Sequence, residues 1–73
     1  MNLPWQAVDV LREFTKRDKR PGDRIGYDQL WHALKSGEVV SLGAKALADL
    51  KWVIQHEHGL ELTEAGYQAL QSV

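Results

Sequence analysis

The segment Gly59-Leu60-Glu61-Leu62-Thr63-Glu64-Ala65-Gly66-Tyr67-Gln68-Ala69-Leu70 decides the fold. Gly59 is a turn residue, and Leu60 and Leu62 alternate with Glu61 as in a half-buried strand. Thr63 is a side chain suited to capping a helix N-terminus. The helix it caps is predicted from Glu64 to Gln71, with Leu70 and Val73 facing inward and Gly66 allowing close backbone approach. Upstream, Val53 to His56 can pair back across Glu57-His58-Gly59 as a hairpin. A hairpin therefore feeds directly into a Thr-capped helix.

Working towards the N-terminus, a third helix is expected with Ser41 as its cap. Its buried face centres on Leu50, flanked by Gly43, Ala46, Leu47, Val53 and Ile54. Ala44, Lys45, Ala48, Lys51 and Trp52 then point outward. A second helix is predicted over Tyr27–Lys35, where Tyr27, Leu30, Trp31 and Leu34 fall at i, i+3, i+4, i+7 and Gly37 acts as the stop. Arg24-Ile25-Gly26 supplies one or two sheet residues that pair with the hairpin. The first helix runs from Pro4 to Arg17, with Ala7, Val8, Leu11 and Phe14 as its stripe, and Pro21-Gly22 ends it in a loop.

Seventy-three residues suffice for one domain, here 1–73, near the lower limit for a self-supporting core. Hydrophobic residues make up 44%, with three Trp, two Tyr and one Phe, which argues against disorder. There is no Cys, so disulfides and thiolate metal sites are excluded. No apolar run approaches the ~20 residues that cross a bilayer. Met1-Asn2-Leu3-Pro4-Trp5 does not read as a signal peptide, so no membrane partner and a cytoplasmic location are expected.

The element order, α-β-α-α-β-β-α, resembles that of winged helix-turn-helix domains of small bacterial or phage type, and the resemblance covers nearly the whole chain. Leu62-Thr63-Glu64-Ala65-Gly66 matches the Leu-Thr-x-x-Gly pattern that follows the wing in small bacterial repressors. The fold class implied is mainly α with a small β-hairpin wing (α+β). The resemblance further implies that the second and third helices form a helix-turn-helix whose third helix enters the DNA major groove. Two features depart from the pattern. Ser36-Gly37-Glu38-Val39-Val40-Ser41 makes a long connection, and the wing tip Glu57-His58-Gly59 is short and acidic where Arg or Lys is common.

Net charge is −1, but its distribution is uneven. Lys16-Arg17-Asp18-Lys19-Arg20-Pro21-Gly22-Asp23-Arg24 holds five cations against two acids. Lys16, Arg17, Lys19, Arg20 and Arg24, with Lys45 and Lys51 of the third helix, are the candidate phosphate contacts for duplex DNA. A solvated loop has the same composition. The third helix offers no residue for a bidentate base contact, and Asp49 repels the DNA backbone.

Ala44, Ala48 and Trp52 form a second candidate surface, for a protein partner, because exposed Trp is enriched among interface anchors. Alternatively the helix ends a turn earlier and Trp52 packs under the wing against Leu60 or Leu62. Trp5 and Tyr67 could cover one end of the core or build a homodimer.

His56 and His58 share a strand face, but a zinc site wants three or four ligands, and only Glu61 or the distant His32 could join them. No metal and no cofactor are expected. Ser36, Ser41 and Ser72 lack a His-acid partner, and no glycine loop precedes a Lys-Ser/Thr pair, so no catalytic residue is assigned and no enzyme is expected. Two readings follow: a DNA-binding transcriptional regulator, or a protein-interaction module.

Overall fold

Glu61 occupies the middle strand of a three-stranded antiparallel sheet in which the last strand of the chain lies between the first two. The computed structural model describes residues 3–72. Within them the chain forms α1 (Trp5–Lys16), β1 (Arg24–Gly26), α2 (Tyr27–Leu34), α3 (Gly37–Asp49), β2 (Val53–Gln55), β3 (Gly59–Leu62) and α4 (Glu64–Ser72). Arg24 and Ile54 flank Glu61 on one sheet face, while Ile25, Leu60, Val53 and Leu62 turn to the other. The second set is fully buried, as the period-2 alternation requires. Val73, expected to face inward, lies outside the described residues.

The helices cover that apolar sheet face. Ala7, Val10, Leu11 and Phe14 of α1 join Leu30 of α2 and Val40, Ala44 and Leu47 of α3 in one buried cluster. α1 packs chiefly on α3, and Gly43 makes this possible. A β-carbon there would lie 2.6 Å from the Gln6 carbonyl oxygen and 2.5 Å from Val10 Cγ2. The glycine lets the two helix backbones approach closely. Val10 belongs to this contact although it stands outside the predicted stripe, and Val8 is only half-buried.

The segment that opened the sequence reading behaves as its residues require. The Gly66 N–H donates to Thr63 Oγ1 at 3.1 Å, so Thr63 caps α4. Leu70 and Tyr67 of α4 pack against the core. Trp5, expected to share that cover with Tyr67, is mostly exposed.

The third helix differs from its expected bounds at both ends. Ser36 caps it, with Oγ accepting from the Val39 N–H at 3.2 Å, and Ser41 is an exposed residue within the helix. Glu38 in the first turn favours this earlier start through the helix dipole. The α2–α3 connection is therefore the pair Lys35-Ser36, with Lys35 left-handed at φ 59°. It is a tight turn, not the long connection expected, and Gly37 opens α3 rather than stopping α2.

At its other end α3 stops at Asp49. Lys51 is left-handed at φ 62°, and the Trp52 N–H reaches back to the Leu47 carbonyl at 3.0 Å. This is a C-terminal motif usually marked by glycine. The buried face of α3 runs through Val40, Gly43, Ala44 and Leu47, so a wheel centred on Leu50 is out of phase. Ala44 is 2% exposed, Ala48 is half-buried against the core, and Ile54 lies on the outer sheet face instead of pointing inward. Trp52 is half-buried and packed against the core. The expected outward face of Ala44, Ala48 and Trp52 does not exist. No helix among the described residues is long and apolar enough to cross a membrane.

Candidate functional site

The cations expected to meet phosphates fall into two sets. Lys16 Nζ lies 3.2 Å and Arg17 Nε 3.7 Å from the Glu13 carboxylate, which is itself almost wholly buried at 4% exposure. Arg24 Nε lies 3.5 Å from Glu61 Oε1. Such pairs add little to stability, about 0–1 kcal/mol each. Their consequence here is electrostatic, because three of the five cations in the basic segment already face a carboxylate. Lys19, Arg20, Lys45 and Lys51 make no ion pair among the described residues. The loop carrying Arg20 is held in place. Its N–H donates to Asp23 Oδ2 at 2.9 Å, and Asp23 and Gly22 exchange backbone bonds with Leu62.

Lys45 lies on α3, whose solvent face is set by the burial of Val40, Gly43, Ala44 and Leu47 on the other side. The exposed positions are Gly37, Glu38, Ser41, Leu42, Lys45 and Asp49. One cation stands between two acids, and Leu42 is 45% exposed. No Arg, Asn or Gln is there to read a base edge.

Beside the N-terminus of α3, Trp31 projects from α2 with half its surface exposed (50%). The indole sits over Gly37, at which a β-carbon would be 3.7 Å from Trp31 Cδ1 and Nε1. His32 packs edge-on to it, ring centres 5.6 Å apart at 83°. α2, α3 and β2 border an open cleft of about 350 Å³. Tyr27, Asp28 and Trp31 line it from α2, Gly37, Val40, Ser41 and Ala44 from α3, and Gln55 from β2, so apolar and polar side chains share each helix wall. Spacing alone puts Trp31 on the same stripe as Leu30, which is why it reads as core. In the fold Leu30 takes the interior and Trp31 falls on the rim.

The outer sheet face carries a second polar group. Glu61 Oε1 forms an ion pair with Arg24 Nε at 3.5 Å and lies 2.8 Å from His56 Nε2. His58 and Glu57 at the hairpin tip are 4.0 Å apart and both exposed. Among the described residues no three His, Cys, Asp or Glu side chains are placed to hold a metal. The Ser36 hydroxyl is engaged as a cap, and Ser72 Oγ donates to the Gln68 carbonyl. Sequence reading misses the Glu13 pairings although they are open to it, since Lys16 and Arg17 stand three and four positions after Glu13, the helical pairing distance. No family model, no curated protein and no solved structure matches the chain.

Proposed function

We propose that this chain is a non-enzymatic winged-helix-like domain that binds a protein partner through the α2–α3 face. The winged-helix reading draws support from the element order, the sheet order β1-β3-β2 and the two-residue turn joining α2 to α3. The observations that carry the protein reading are two exposed apolar side chains, Trp31 on α2 and Leu42 on α3, the latter sharing its solvent stripe with Glu38, Asp49 and a single cation, Lys45. An interface centre is apolar and aromatic, whereas a DNA-facing helix carries cations and base-reading polar groups. The acidic hairpin tip at Glu57 and the pairing of Arg24 with Glu61 weaken a phosphate grip further.

Duplex DNA is the second reading, favoured by the unpaired Lys19, Arg20, Lys45 and Lys51. One experiment separates the two. A photo-crosslinking residue is placed at position 42 in cells of the source organism, with position 20 as control, and a parallel amide NMR titration uses a mixed-sequence duplex at low salt. The protein reading expects a protein adduct at 42, none at 20, and no duplex-induced shifts across α3. Salt-sensitive shifts over Gly37–Asp49 without an adduct overturn it in favour of DNA.

A further inference from the structure

We propose that the cleft between α2, α3 and β2 takes the arginine side chain of the partner protein. This rests on the α2–α3 face being the protein-binding surface, and it names what that surface recognises. The cleft is acidic without compensation: Asp28 lines it, no Lys, Arg or His does, and Asp28 makes no ion pair among the described residues. Its other polar side chains, Tyr27, Ser41 and Gln55, make no side-chain hydrogen bond among the described residues either. They stand as uncommitted acceptors beside a carboxylate.

Interleaved with them, Trp31 on α2 and Val40 and Ala44 on α3 give the cleft an apolar lining. Arginine is the side chain that suits both kinds of lining. Its stem is apolar, its planar guanidinium stacks on an indole, and its five N–H groups reach several acceptors at once. Lysine lacks the stacking plane. An apolar side chain would strip water from Asp28 without replacing it. The volume, about 350 Å³, fits one anchoring side chain, at the small end of the ~300–1,000 Å³ of ligand clefts.

The test is an NMR titration of the full chain with N-acetyl-arginine N-methylamide, beside its citrulline and lysine counterparts. We expect saturable shifts at the Trp31 indole N–H and the amides of Asp28, Ser41 and Gln55, in the millimolar range. Asp28→Asn should weaken binding about tenfold, the size of one charge-assisted contact. Trp31→Leu should weaken it about fivefold through the lost stacking, and the same spectra report that both variants stay folded. Absence of saturable shifts at tens of millimolar ligand overturns the proposal. So does equal binding of citrulline or lysine, or an Asp28→Asn variant that binds as well. If arginine fails while position 42 still crosslinks to a protein, the ligand class is wrong and the interface stands. A saturable arginine response with no adduct at 42 supports the cleft and overturns the wider interface.

Discussion

The carbonyl oxygen of Trp52 accepts two hydrogen bonds from Thr63, one from its N–H at 3.0 Å and one from its hydroxyl at 2.9 Å. The hydroxyl proton is shared with the Lys51 carbonyl at 2.8 Å, and Thr63 Oγ1 accepts from Gly66. One side chain therefore ties the end of α3, the start of the hairpin and the first turn of α4 together. The same Trp52 carbonyl fills the space where a β-carbon on Gly66 would stand. The Thr-x-x-Gly spacing is thus a single packing device: Thr63 holds the Trp52 carbonyl, and Gly66 lets α4 come down on it.

Thr63→Ala should cost about 1–2 kcal/mol, the sum of a lost cap and a Lys51 carbonyl left without its hydroxyl donor, while the Trp52 carbonyl keeps the backbone N–H of residue 63. Thr63→Ser should retain most of that. Urea unfolding of the three proteins checks it, and equal midpoints for alanine and wild type would remove Thr63 from its role.

Gly66→Ala should destabilise by about 1–3 kcal/mol, because backbone rather than a flexible side chain meets the added carbon. Gly43→Ala should cost a similar amount at the α1–α3 contact. In both cases higher helix propensity opposes the loss by only ~1 kcal/mol. A thermal melt in which either variant gains stability would show that the helices separate at no cost.

Lys35 and Lys51 hold left-handed backbone at φ 59° and 62° without being glycine. Replacing either with Gly should raise stability by about 0.5–1 kcal/mol, since the β-carbon is what makes that region unfavourable. Lys51→Val should lower it. The denaturation midpoints of the three variants should order as Gly, Lys, Val.

Trp31→Ala and Leu42→Asp should leave stability within about 1 kcal/mol, as expected for exposed positions away from caps and core. Leu30→Ala, one residue from Trp31 but fully buried, should cost about 2–5 kcal/mol. Comparable losses at positions 30 and 31 would mean that Trp31 serves the core and not a surface.

Local chemistry by itself determined much of this protein. Turn glycine, alternation, threonine cap and close-approach glycine all act within a few residues, so Gly59 to Leu70 was legible, and with it the order of the seven elements. The spacing of Glu13 to Lys16 and Arg17 lies in the sequence as well, but composition reads the cations as free phosphate contacts and the fold shows them paired.

Tertiary structure decided the rest. The end of α3 carries no glycine signal; Lys51 adopts its left-handed turn because Trp52 must present its carbonyl to Thr63, eleven residues on. Packing of α3 on α1 through Gly43 buries Ala44 and leaves Leu42 exposed. The Arg24–Glu61 pair exists only through strand register, and the Trp31 cleft only where α2, α3 and β2 converge. Which face of a helix meets solvent depends on where its neighbours pack, and periodicity specifies the width of an apolar stripe far better than its partner.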